Sequence, residues 1–223
     1  MVPATASRPR VLVNMAPSLD GKIAPARKHA PFVMSRHEED HRRMTALRAR
    51  ADAVVIGATN LRADDPDLMP SALRVVVTRT GAQVSPTARM FSPELGGEAV
   101  VAHASTMPEA RRAVLRPIAT LVALGVSEVE PLRLLEWLAR ERGCKVVLCE
   151  GGGVLNARFF EARAVDELYL TIVPRVLGGA VAPTVVAGEG FEPDALPDAR
   201  LISVERIGDE LFVVYGFDWG PGV

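Results

Sequence analysis

A run of four apolar residues, an acid and three consecutive glycines, KVVLCEGGGVLN over residues 145–156, limits what this chain can become more than any other stretch. Val146 to Cys149 contain nothing polar, which suits a strand buried on both faces. Glycine punctuates such a run sharply, and beyond it apolar residues return at helical spacing through Phe159, Phe160 and Ala162. The segment therefore predicts a buried strand, a glycine turn and a helix N-terminus. Backbone N–H groups at such a turn approach an anion closely, and the helix dipole favours negative charge there. Two readings follow: a site for a phosphate-bearing cofactor or substrate, and a tight connection that binds nothing.

The rest of the chain supplies the sheet such a strand needs. Val11 to Met15, Ala53 to Ile56 (ending at Gly57) and Arg74 to Val77 read as further strands. Ser35 opens a helix, with Glu38 at capping-box spacing and Met44 and Leu47 on its apolar side. Residues 80–98, rich in Gly, Pro and Ser, read as a loop, after which signals resume at Val100. Pro131 suits the first turn of a helix carrying Leu132, Leu135, Leu138 and Ala139, closed by Gly143. Glu167 to Val173 is another strand, and Leu201 to Phe217 a hairpin around Gly208-Asp209. The expectation is one α/β domain over residues 10–219 behind a loose arm of residues 1–9. Its mixed sheet is mostly parallel, antiparallel at the C-terminal end, with helices on both faces.

Composition narrows the function classes. Hydrophobic residues make up 48%, enough for a sizeable core. Basic and acidic residues number 26 and 27, and no basic stripe interleaved with aromatics argues for nucleic acid. No apolar run is long enough to span a bilayer, and MVPATASRPR lacks the apolar core of a signal peptide. The two cysteines, Cys144 and Cys149, lie five positions apart along one extended segment, too far for a disulfide. A reduced, cytoplasmic setting is expected.

Two more strand exits carry polar residues. The first strand runs into APSLDGKIA, residues 16–24, where Asp20-Gly21 signals a turn at the strand end at which open α/β sheets place ligands. Asn14 puts an amide inside that strand, for a structural hydrogen bond or a ligand. IGATNLRADDPDL, residues 56–68, presents Asn60, Asp64 and Asp65, the last beside Pro66 as a turn former. One pattern misleads: HEEDH over 37–41 matches the zinc-protease H-E-x-x-H. Arg36, Arg42 and Arg43 flank it and further acids fill it, so it reads as a solvated first turn, and no metal is expected. His29 and His103 have no spaced partners.

In order and separation, SLDGKIA, RADDPDL, CEGGGVLN and VDELYLTIVPRVLGG resemble the riboflavin-biosynthesis pyrimidine reductases, whose fold is dihydrofolate-reductase-like. The resemblance runs from about Arg10 to Tyr215. It implies a reductase using NADPH on a ribosylamino-pyrimidine 5′-phosphate, with the sugar opened and reduced at C1′ to a ribityl chain. The family's deaminase domain, often fused upstream, has no counterpart here, so reduction alone is implied. Related reductases dimerise through their C-terminal strands, and the continuous apolar run Leu211 to Val214 suits a covered hairpin and a homodimer.

Carried over by position, the resemblance puts cofactor contacts at Ala16, Pro17, Asn60, Asp64 and the turn Gly151, Gly152, Gly153, Val154 and Leu155. Thr78 and Arg79, leaving the third strand, fall where such folds meet the NADPH 2′-phosphate. Substrate contacts fall on Arg48, Leu68 and Glu150, with Asn14 beside them. Asp20 and Glu150 are the candidate general acids, one from each side of the cleft. Three positions depart from the pattern: Asn60 stands for the usual Thr, and Ala30 and Ser71 lie near positions where bacterial members use a Ser and an Arg. A pterin or tailoring reductase on the same fold, and a non-catalytic nucleotide-binding module, remain alternatives.

Overall fold

The computed structural model describes residues 8–27, 32–66, 68 and 72–220. Ala30, Ser71 and His29 lie outside the described residues, as do residues 1–7 of the expected arm.

Nine strands form one sheet: β1 (Arg10–Met15), β2 (Ala53–Gly57), β3 (Leu73–Thr78), β4 (Ala99–His103), β5 (Thr120–Ala123), β6 (Val146–Cys149), β7 (Glu167–Ile172), β8 (Ala199–Ile207) and β9 (Glu210–Phe217). Their order is β5-β4-β3-β2-β6-β1-β7-β9-β8. All neighbours from β5 to β7 pair parallel, whereas β9 joins β7 and β8 antiparallel. The helices are α1 (Glu38–Arg50), α2 (Ala58–Asp64), α3 (Glu109–Leu115), α4 (Pro131–Arg142) and α5 (Gly153–Glu161). This is the mixed-sheet architecture the resemblance implied.

Strand alternation divides the core in two. Val54, Ile56, Val76 and Leu148 pack with Leu47 of α1, Leu61 of α2 and Leu115 of α3 on one face. Val55, Val75, Val147 and Cys149 pack with Leu134, Leu135 and Leu138 of α4 and Phe159 and Phe160 of α5 on the other. The helices that return each parallel strand thereby cover both faces, which explains the uniformly apolar strands.

Several boundaries differ from expectation. α1 starts at Glu38, two residues late: His37 and not Ser35 is its N-cap, and its Nδ1 accepts from Glu39 N at 3.2 Å. Ser35 has another use, donating to the buried Glu210 carboxylate at 2.8 Å. α2 was hidden because Gly57 and the polar ATNLRAD read as loop chemistry. Arg8 is not loose, because its guanidinium grips Asp166 at 2.7 and 2.9 Å and Pro9 is buried. At the other end, within the expected bounds, Trp219 Nε1 donates to Val165 O at 2.6 Å and packs the residues after β9 against the domain. Within β9, Phe212 is buried beneath Arg43 and Val213 is buried on the opposite face, while Leu211 stays 38% exposed. Exposure is greater along β8, the edge strand.

Candidate functional site

The carboxyl ends of β1, β6, β2 and β3 lie side by side, and the sequence-predicted residues gather there. The centre is the glycine turn between β6 and α5. Gly151 has φ +71°, and a Cβ on it would lie 3.0 Å from Met15 Sδ. A Cβ on Gly153 would lie 2.2 Å from Thr184 O, so close packing forbids a side chain there. Gly152 is different: its Cβ would meet only Ile23 Cδ1, at 3.9 Å. It faces open space as N-cap of α5, with no side chain capping the helix. The first-turn N–H groups of Gly153, Val154 and Leu155 have no intrahelical acceptors, the arrangement that takes an anion.

The turn is fastened to its neighbours through the backbone. Gly57 N donates to Gly151 O at 2.8 Å, and Ala187 N to Gly153 O at 3.0 Å. Asn60 Nδ2 donates to Glu150 O at 3.1 Å, so this amide holds the exit of β6. Asp64 follows on α2 at i+4, on the same helix face as Asn60. Asp65 is the turn former expected, left-handed at φ 39° and accepting from Arg89 N at 3.0 Å. A residue not singled out from sequence, Asn156, is fully buried behind the turn. Its Nδ2 donates to Val185 O at 2.7 Å, and its Oδ1 accepts from Cys149 Sγ at 3.4 Å. Its place at the end of the quoted CEGGGVLN motif was the available signal.

On the other wall, Ala16 is half-buried and Pro17 is buried, with Pro17 O accepting from Val173 N at 2.9 Å. Asn14 is half-buried, and among the described residues nothing hydrogen-bonds its side chain.

Four candidates change meaning. Arg48 and Glu150 find each other: Nε to Oε1 is 2.7 Å and Nη2 to Oε2 is 2.8 Å, with both side chains 9% exposed. Glu150 is thereby an anchor with both oxygens committed, which does not suit a proton donor. Asp20 accepts from Ser18 Oγ at 2.6 Å, Leu177 N at 3.0 Å and Gly178 N at 2.7 Å. Those bonds, Ser18 foremost, hold its carboxyl down at about 2. Through these bonds Asp20 clamps the loop after β1 to the loop after β7. Leu68 is 1% exposed within the core, so its side chain packs and does not reach a ligand.

Farther along the edge, Thr78 is buried and its Oγ1 accepts from Gly81 N at 3.0 Å, while Arg79 is exposed. The HEEDH segment makes no site: His37 is a cap, and Glu39 is taken by Arg42 and Arg43. Among the described residues no cluster of His, Cys, Asp and Glu is arranged to hold a metal, and no helix is long and apolar enough to cross a membrane.

A mixed α/β sheet, parallel from β5 to β7, with a glycine turn and an uncapped helix at its carboxyl edge defines the class of open α/β domain that places ligands at that edge. The comparisons make this specific: residues 9–213 match the model of the RibD C-terminal domain, and the chain belongs to that family. It is 34% identical over 227 residues to the 2,5-diamino-6-ribosylamino-4(3H)-pyrimidinone 5′-phosphate reductase of Archaeoglobus fulgidus, covering 95% of this chain and 99% of that one. It is 35% identical to the protein of the same name from Methanothermobacter thermautotrophicus, covering 93% and 98%. Among solved structures, a pyrimidine reductase-like protein from Corynebacterium diphtheriae superposes with a TM-score of 0.76 at 18% identity over 95% of this chain and 93% of that one. Acinetobacter baumannii RibD gives 0.74 at 20% identity over 95% of this chain, which spans 58% of that longer one.

Proposed function

We propose that this chain is an NADPH-dependent reductase acting on a ribosylamino-pyrimidine 5′-phosphate and converting its ribosyl group to a ribityl chain. The observation that carries the reading is Gly152, open at the tip of an uncapped helix while Gly151 and Gly153 beside it are packed tight. A turn that needed only to be tight would have no use for that opening. The family membership and the names of the archaeal relatives support the substrate class.

The cofactor, when bound, supplies the hydride. The chain's own part is to bind and orient. The N–H groups around Gly152 to Leu155 receive the diphosphate, and Asn60 and Asp64 line the adjoining helix face. Thr78 and Arg79 receive the 2′-phosphate. Ala16 and Pro17 shape the wall opposite the glycine turn, and Asn14 offers its unpartnered amide to the substrate. Arg48 and Glu150 act as one preorganised unit beside it, so the substrate meets a fixed pair. Neither Asp20 nor Glu150 is assigned the proton that accompanies hydride transfer.

The enzyme is further proposed to be a homodimer joined through β8, and cytoplasmic, where a reducing milieu suits two free buried thiols. Following NADPH absorbance with ribosylamino-pyrimidine phosphates and pterins tests the function. Turnover is expected with the former; turnover confined to pterins would reassign the substrate, and nucleotide binding without any turnover would make the chain a binding module.

A further inference from the structure

We propose that Arg111 is a positioning residue that sets selectivity for the cofactor's 2′-phosphate, by holding the loop after β3 in one conformation. The inference rests on the reading of that loop as the adenosine end of the NADPH site.

The loop is short and tied at several points. Thr78 ends β3, and its Oγ1 accepts from Gly81 N at 3.0 Å. Gly81 turns with φ +70°, and a Cβ on it would lie 2.8 Å from Met107 Cε, so the turn sits against the segment leading into α3. Val84, 1% exposed, closes it with Val84 N donating to Gly81 O at 3.1 Å. From α3, the Arg111 guanidinium reaches into this loop. Its Nε and Nη2 donate to Gly81 O at 3.2 and 2.8 Å, and Nη2 donates also to Val84 O at 2.7 Å. The guanidinium therefore ties both carbonyls of the turn with donors fixed in one plane, which a flexible lysine ammonium reproduces only in part.

A second line of contacts links this loop to the cofactor turn. Thr59 Oγ1 donates to Gln83 Oε1 at 2.8 Å. Thr59 is two residues beyond Gly57, whose N–H holds Gly151 O. The loop is thus registered against the glycine turn, and Arg79 projects exposed between the tethered Thr78 and Gly81. A backbone held this way presents its cation to a phosphate with less chain freedom left to lose, and that saving disappears when the tether is cut. The neighbouring carboxylate on α3, Glu109, pairs with Arg112 and Arg116 and does not engage Arg111. NADH lacks the 2′-phosphate, so the contribution of Arg111 appears as a ratio between two nucleotides. A residue that merely supported the fold would move both alike.

The test is steady-state kinetics with NADPH and NADH on the full chain, for the wild type, Arg79→Ala, Arg111→Ala and Arg111→Lys, with thermal unfolding of each. Arg111→Ala is expected to raise KM for NADPH by roughly three- to tenfold, the size of a lost net hydrogen bond, while KM for NADH moves far less. Arg111→Lys should fall between, and it carries the test by itself if the alanine variant does not fold. If Arg79→Ala lowers the NADPH-over-NADH ratio but both Arg111 variants leave it unmoved, or raise the two KM values equally, the positioning role is overturned. If the ratio is unmoved in Arg79→Ala as well, the loop is not the 2′-phosphate site, and the inference falls with that reading.

Discussion

Removing Arg48 leaves the Glu150 carboxylate, at 9% side-chain exposure, without the guanidinium that holds both its oxygens. Breaking such a pair by truncating one partner costs about 3–5 kcal/mol. Arg48→Ala should therefore lower the denaturation midpoint markedly as well as raise KM for a phosphorylated substrate; an unaltered midpoint would mean the pair is not formed in solution. Asp20 gives a pH signature. Its carboxyl stands at about 2 against an ordinary 3.8, so its contribution to stability is complete above pH ~4 and is lost as the pH falls towards ~2. The stability gap between wild type and Asp20→Asn should be constant near neutrality and close across that window in acid titrations followed by circular dichroism. A gap that persists at pH ~2 would remove the carboxylate clamp. The thiols make a third case: burial pushes Cys149 up to about 12 and Cys144 to about 11. Both should resist a thiol reagent in the native protein at neutral pH and react once it is unfolded. Fast labelling of the native chain would contradict their placement.

At the scale of elements, the glycine turn allows a substitution that separates binding from folding. Asp is a better N-cap than Gly by a few tenths of a kcal/mol, and Gly152 has φ −71° with room for a side chain. Gly152→Asp should fold at least as well as the wild type yet lose NADPH affinity in calorimetry, because a carboxylate then occupies the phosphate position. Retained affinity would move the site elsewhere. Much at this scale was legible in the residues. Pro131 and Gly143 bracket α4 as their chemistry predicts, with Gly143 left-handed at φ 66°. The hairpin turns at Gly208, and the strand, glycine turn and helix of residues 146–161 stand where their pattern placed them. The start of α1 was not legible, because Ser35 satisfied the capping-box spacing, yet its Oγ accepts from His37 N at 3.1 Å, ahead of the helix, while donating to Glu210, 175 positions away. A hydroxyl that fits a capping pattern caps a helix only when the fold aims its oxygen at that helix's own first-turn N–H groups.

For the whole molecule, the open question is what β8 meets. As an edge strand it is exposed along almost its entire length, with Leu201 at 50%, Ile202 at 44% and Val204 at 57% exposure. A long apolar edge is a liability for a monomer, and a second copy of the chain is the proposed cover. Light scattering should give a dimer at micromolar concentration, and Val204→Lys should shift it to a monomer; a monomeric wild type would end the proposal. The sequence by itself determined the class of fold and the place of the ligand edge, because period, glycine and proline act over a few neighbouring residues and survive any tertiary context compatible with them. Only the tertiary structure decided what the polar residues do. Arg48 and Glu150 are 102 positions apart, and Asp20 meets Leu177 across 157. Nothing local distinguishes a carboxylate that will be clamped from one left open to a substrate: its role depends on which donors the folded sheet brings within about 3 Å, and that is settled only when all the strands are in place.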